Sequence, residues 1–224
     1  MGMEDALLVL ETSCVRCSAA LWVGGELVEQ VMWEAQRNRA ALIFGELEKF
    51  MPKLRVAKLT HIIVGSGPGA YSGVRLALAV ADGLALVHDA AVCALGSWNG
   101  LGITEPEAWV ISDARRGGWA WGCLIDGVLQ AVPEVLSLEE SVAKVTALQQ
   151  KQVPIYSTES PESLEARGIL GVTQLEPSAE NLGKVWLSMT AEQRANLMSK
   201  PAEPMYIRAP HITKSKRPAW AVKP

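Results

Sequence analysis

Four glycines and a proline crowd into Gly65-Ser66-Gly67-Pro68-Gly69-Ala70-Tyr71-Ser72-Gly73-Val74-Arg75, and no other stretch constrains the fold as strongly. The apolar run His61-Ile62-Ile63-Val64 before it predicts a strand, and residues 74–87 after it predict a helix. Gly67 and Gly69 can take positive φ, while Pro68 between them holds its own φ near −65°. The turn is therefore sharp and stiff. A strand, a glycine turn and a helix start together can point backbone N–H groups at an anion. They can equally serve only to aim a helix. Gly67, Gly69, Ser72 and Gly73 are the anion-loop candidates under the first reading.

The rest of the chain narrows the choice. At 224 residues it can hold one large domain or two small ones. Its 49% apolar and 20% charged residues suit a core-forming globular protein, and a net charge of −3 argues against a broad basic footprint for nucleic acid. No segment reads as a signal peptide or a membrane span, so a soluble, cytoplasmic protein is expected. Cys14-Val15-Arg16-Cys17 is a lone C-x-x-C in a turn between predicted strands, with no second pair to complete a metal site. Its thiols are expected to be incidental, one of them facing the core.

Taken in order, residues 6–10 are an apolar run that predicts a buried strand, ended by Glu11-Thr12-Ser13. Residues 18–23 and 26–33 predict two further strands joined at Gly24-Gly25. Residues 38–51 have helical spacing, with Ile43, Leu47, Phe50 and Met51 on one face and Pro52 expected to close the helix. The helix after the glycine turn is apolar nearly all round and carries small residues at Gly73, Ala77 and Ala81, and again at Ala79 and Gly83. Such a helix needs cover on more than one side: the sheet, and a second helix or another chain.

A short strand at 91–95 leads into a loop or helical turn through Trp98. A second, smaller copy of the pattern follows: strands at 109–111 and 119–125, a capped helix opened by Ser137 and Glu140, and a strand at 153–156. A helix over 178–189 and an extended segment over 203–210 close the sequence before a basic tail. The order implies two α/β lobes, 1–104 and 105–210, with 211–224 as a loosely ordered tail.

Little of this carries chemistry by itself. No lysine follows the glycine turn, as a nucleotide P-loop requires, since Gly73-Val74-Arg75 stands there. The three histidines, His61, His88 and His211, form no i,i+3 or i,i+4 pair, and no metal site is expected. No serine sits in a G-x-S-x-G elbow. Asp113 and Arg115 read as a local ion pair.

Leu7-Leu8-Val9-Leu10-Glu11-Thr12-Ser13, the glycine turn, Ser112-Asp113-Ala114-Arg115 and Pro204-Met205-Tyr206-Ile207-Arg208 occur in an order and spacing that resemble the TsaB (YeaZ-type) family. The resemblance covers nearly the whole chain, and the Gly-Pro-Gly-aromatic-Ser-Gly-Val-Arg element is its specific part. It implies a two-lobed actin/sugar-kinase/Hsp70-like (ribonuclease H-like) α/β fold. It also implies a role in making N6-threonylcarbamoyladenosine (t6A) at position 37 of tRNA. Family members of this kind pair with the catalytic transferase TsaD, a paralogue, and are joined by the ATPase TsaE. Two departures stand out: Glu11 replaces the usual aspartate, and Asn38-Arg39 stands where relatives carry His-Ser.

The resemblance implies a non-catalytic scaffold with no tightly bound cofactor, ATP being used by the wider complex and tRNA being met only indirectly. The helices at 38–51 and 74–87 are its expected docking face, with Ile43, Leu47, Ala77, Leu78 and Ala81 as the contact candidates. Alone, the same face would allow an isologous homodimer. The rival reading is an ATP-dependent phospho- or acyl transferase that cradles phosphate in the turn at Gly67-Pro68-Gly69. An inactive peptidase-like remnant, from the family's older glycoprotease-like label, stands third.

Overall fold

A strand buried on both faces must satisfy two cores, and the first strand, β1 (Glu4–Glu11), does so by alternation. Leu8 and Leu10 enter one apolar cluster, while Leu7 and Val9 enter another. The computed structural model describes residues 3–35 and 39–208, and of 39–41 the backbone alone. Asn38 and the basic tail at 211–224 lie outside the described residues.

β1 is the centre of a sheet. It pairs antiparallel with β2 (Arg16–Val23), which pairs antiparallel with β3 (Glu26–Glu34). On its other side β1 runs parallel to β4 (Ala57–Gly65), and β4 to β5 (Ala91–Leu95). The order is β3-β2-β1-β4-β5. Helices α1 (Arg39–Leu47) and α3 (Tyr71–His88) cover one face, with the short α2 (Met51–Leu54) between them. The second strand pair after the glycine-rich elements repeats the scheme. β6 (Glu107–Asp113) pairs antiparallel with β7 (Gly118–Ile125) and parallel with β10 (Ile155–Ser157), whose other neighbour is β11 (Thr173–Gln174). β8 (Val128–Leu129) and β9 (Glu134–Ser137) both pair with β7. Helix α4 (Leu138–Gln150) and the short α5 (Pro161–Glu165) cover this sheet, and Ser137 with Glu140 forms the expected capping box at the start of α4. This is the two-sheet α/β architecture expected from the sequence.

Several local expectations change. Pro52 does not close a helix at 51. A single 3₁₀ turn at Glu48–Phe50 intervenes, and Pro52 sits in the first turn of α2, where a missing N–H costs nothing. The segment expected to run extended over 203–210 is irregular chain where it is described, with the Met205 N–H bonded to the Ser66 carbonyl at 2.8 Å, and its residues 209–210 lie outside the described residues.

The docking candidates also turn out differently placed. Ile43, Leu47, Ala77, Leu78 and Ala81 are 0–6% exposed and pack into the sheet's own core. α3 is apolar nearly all round, and its few polar residues, Ser72, Arg75 and Asp82, mark the side away from the sheet. The row facing outward is Ser72, Arg75, Ala79, Asp82, Gly83 and Leu86.

The other face of the first sheet is covered from far along the chain. Helix α6 (Ala179–Ser188) brings Ala179, Leu182 and Trp186 against Leu7, Val9, Trp22 and Ile63. So the stretch assigned to the second lobe from sequence, 105–210, returns a helix to the first. The fit is tight: a Cβ on Gly183 would lie 2.1 Å from Trp22 Cη2. α6 also touches the linker at Ser97–Leu101, where Leu182 crowds Gly100, and Trp98 of that linker packs on the inner face of the second sheet. Linker and α6 together form a middle layer between the sheets. Among the described residues no helix is long and apolar enough to cross a membrane.

Two helical glycines should therefore respond oppositely to one added methyl group. Gly183→Ala forces an overpacked contact with Trp22 and is expected to cost about 1–3 kcal/mol. Gly83, in the outward row of α3, has nothing within 4 Å of a built Cβ. Gly83→Ala should gain roughly 0.5–1 kcal/mol through helix propensity. Urea unfolding midpoints of the two variants against the parent chain test both signs.

Candidate functional site: the cleft at the glycine turn

β1 and β4 are parallel neighbours, so the turns that follow them emerge at the same sheet edge. There the glycine turn is pressed onto the end of β1. Thr12 Oγ1 donates to the Gly73 carbonyl at 2.8 Å, and the Ser13 carbonyl accepts the Ala70 N–H at 2.6 Å. A Cβ on Gly69 would lie 2.4 Å from that same Ser13 carbonyl oxygen. On the far side Gly67, with φ of +96°, donates its N–H to Ser97 Oγ at 2.9 Å and accepts from the Ser97 N–H at 2.8 Å.

These bonds bear on the anion-loop candidates. The Gly67 N–H is engaged by Ser97, and the Gly73 N–H by the Ala70 carbonyl at 2.9 Å. Gly69 is backed against Ser13, and Ser72 stands exposed on the first turn of α3.

Glu11 is folded away beneath the turn. It is 0% exposed, and a Cβ at Gly65 would fall 1.8 Å from its Oε2, so only glycine fits there. Oε1 accepts the Ser13 N–H at 2.7 Å, while Oε2 has no hydrogen-bond partner among the described residues. Burial raises the pKa of this carboxyl above its ordinary value, with hydrogen bonding to Ser13 and the nearby Ser97 hydroxyl opposing the rise.

In front of the turn lies a cleft of about 670 Å³. Its walls gather all four segments that carry the family resemblance: Ser13, the turn at 66–71, residues 112–115 and residues 204–208. The last segment crosses from one lobe to the other. Met205 is bonded to Ser66, Ile207 packs into the second lobe's core, and Arg208 donates from Nη1 to the Arg115 carbonyl at 3.0 Å. Asp113 turns on itself: Oδ1 accepts the Arg115 N–H at 2.6 Å, and Oδ2 pairs with the Arg115 guanidinium at 3.4 Å. The local ion pair read from the sequence is present.

Two further carboxylates of the cleft have structural partners. Glu159 Oε1 accepts the Asp113 N–H at 3.2 Å, and Glu176 pairs with Arg16 at 3.3 Å. Burial, with the charges of Glu11, Glu176 and Glu159 adding to it, pushes the Cys14 thiol up to about 12. At neutral pH that sulfur is a thiol, a poor nucleophile. Cys17, buried in β2, points its sulfur at the Cys14 carbonyl 3.6 Å away. Among the described residues no three His, Cys, Asp or Glu side chains gather as a metal site. His61 packs against Trp186 with ring centroids 5.6 Å apart, and burial, with Arg194 adding, lowers its pKa.

Sequence reasoning did not find Ser97, Glu159 or Glu176. Their roles come from contacts across 30 or more residues, to backbone N–H groups for Ser97 and Glu159 and to the Arg16 side chain for Glu176, for which no local pattern exists. It also missed that Tyr206 meets Tyr71, with ring centroids 5.8 Å apart.

Comparison with known proteins follows this geometry. The family model for TsaD, tRNA N6-adenosine threonylcarbamoyltransferase, matches residues 33–166. The tRNA threonylcarbamoyladenosine biosynthesis protein TsaB of Escherichia coli K12 is 28% identical over 125 residues, covering 51% of this chain and 53% of that protein. The match thus spans about half the length of that curated relative. Two solved structures from Pseudomonas aeruginosa are similar over nearly their whole length. One is an uncharacterized protein with similarity to the peptidase YeaZ, 25% identical, covering 91% of this chain and 100% of that one, with a TM-score of 0.69. The other is YeaZ, also 25% identical, covering 90% and 99%, with a TM-score of 0.68.

Glu11 should leave a signature in the pH dependence of stability. Its folded-state pKa is raised, so folding takes up a proton between about 4.5, its ordinary value, and the folded-state value. Its contribution to stability is therefore greatest at low pH and falls as pH rises through that window. The difference in unfolding free energy between Glu11→Gln and the parent chain should shift in the variant's favour from pH 4 to pH 8, measured by urea unfolding at each pH.

Proposed function

This chain belongs to the tRNA N6-adenosine threonylcarbamoyltransferase (TsaD) family, and on that premise we propose that it is a TsaB-type scaffold: a non-catalytic cytoplasmic subunit that pairs with a TsaD-type paralogue in t6A synthesis. The observation that carries the reading is how α3 divides its surface. One row closes the chain's own core, and the other leaves Ala79 and Gly83, four residues apart, facing outward with Leu86 at 88% exposure. Phe44 of α1 and Val87 are exposed as well, at 56% and 79%. Small residues at that spacing let a second helix approach closely, and exposed apolar residues beside them supply area to bury.

The cleft supports the non-catalytic half of the reading. At the end of β1, where a nucleotide-binding member of this fold would offer an aspartate toward a phosphate-bound metal, Glu11 is buried beneath Gly65 and bonded to Ser13. Thr12 and the Gly67 and Gly73 N–H groups are committed to holding the turn. A TsaE-type ATPase then supplies the nucleotide chemistry of the complex, and this chain holds no nucleotide tightly.

Reconstitution tests the proposal. With purified TsaD-type and TsaE-type partners and unmodified tRNA, leaving out this chain should abolish t6A formation, and this chain alone should form none. Ala79→Arg with Gly83→Glu should weaken pairing with the TsaD-type partner at least tenfold in sedimentation while the variant stays folded. Full modification activity without this chain, or unchanged pairing by the double variant, would refute it. Calorimetry with millimolar ATP should show no binding to the isolated chain.

A further inference from the structure

At the N-terminal end of α3, next to the residues assigned to a partner helix, Tyr71, Tyr206, Arg208 and Arg115 form a strip along the cleft, with Arg75 standing against Tyr71. Arg75 lies over the Tyr71 ring, its guanidinium carbon 5.1 Å from the centroid, and donates from Nη1 to the Tyr71 hydroxyl at 3.1 Å. Tyr71 and Tyr206 tilt at 42° to each other and are 54% and 51% exposed. Two residues on, Arg208 donates to the Arg115 carbonyl, and the Arg115 side chain is 82% exposed.

Two half-exposed aromatic rings fixed side by side are unusual on a soluble surface unless something covers them. Neither is loose: Arg75 clamps Tyr71 from α3, and the flanking Met205 and Ile207 anchor Tyr206 to the two lobes. With ring centroids only 5.8 Å apart there is no room for a flat group between the tyrosines, so a ligand stacks on their outer faces. Guanidinium groups stand at both ends of the strip. Asp113 is already paired with Arg115, and Glu203 places a negative charge near Tyr206.

We propose that this strip is a direct contact for single-stranded RNA: an unpaired base stacks on Tyr71 and Tyr206 while Arg75 and Arg115 meet the flanking phosphates. Exposed aromatics and arginine planes are how proteins take up splayed bases, whereas a duplex hides its base faces. The net charge of −3 excludes a wide electrostatic footprint, so stacking carries most of the affinity. The choice of RNA over DNA rests on the scaffold reading above; the platform itself does not.

Fluorescence anisotropy of the full chain with a labelled, unstructured RNA of about ten nucleotides tests it. A dissociation constant on the order of 10–100 µM near 0.1 M salt is expected. Tyr206→Ala and Tyr71→Ala should each weaken binding roughly 5- to 100-fold, and Tyr206→Phe should stay within about twofold of the parent. Arg115→Gln should lower the salt slope by about one. The same sequence as a duplex should bind at least tenfold more weakly. No binding up to millimolar protein, equal binding of the duplex, or indifference to both alanine variants overturns the proposal. Tighter binding of the matching single-stranded DNA overturns the assignment to RNA. Because the readout needs no partner subunit and no modification chemistry, failure here is separable from failure of the scaffold role.

Discussion

The close contact between the glycine turn and the end of β1 is the constraint on which the rest of the architecture turns. Gly65 lies against the Glu11 carboxylate and Gly69 against Ser13, at separations no side chain could share. The contact fixes where α3 begins, since the Ala70 N–H and the Gly73 carbonyl are both tied to residues 12 and 13. It also holds a carboxyl group out of water with one oxygen unpartnered. That arrangement destabilises the charged form, and only the tightly built turn around it makes it tolerable.

The second organising feature is the middle layer. Helix α6 closes the far face of the first sheet through Trp22 and Trp186, and the linker buries Trp98 against the second sheet, where Gly122 leaves space for the indole. Each sheet's inner face is thus finished by chain that lies between the two. The lobes share apolar core material through this layer.

What could be read from residues alone follows from how local each signal is. The apolar run at residues 6–10, the Ser137–Glu140 capping box and the glycine turn each declare themselves within a few positions, and the structure contains all three. Helix α3 is legible as a helix, and its polar residues Ser72, Arg75 and Asp82 mark the outward side; the small-residue row Gly73, Ala77 and Ala81, read as a docking track, lies on the opposite side, inside the core with Leu78. Pro52 misled because proline is as acceptable in the first turn of a helix as just beyond its last. The return of α6 to the first sheet depends on pairings across more than 150 residues, such as the Ser18 hydroxyl with the Ala179 N–H at 2.8 Å, and no periodicity encodes them.

The segment at 204–208 bears on motion. Two-lobed proteins commonly work by swinging one lobe about a hinge to open and shut the cleft between them. Here a single stretch is bonded to Ser66 on one rim and to Arg115 on the other, with Ile207 packed against the second lobe's core. Separating the rims means breaking those bonds. The molecule is latched across its own mouth.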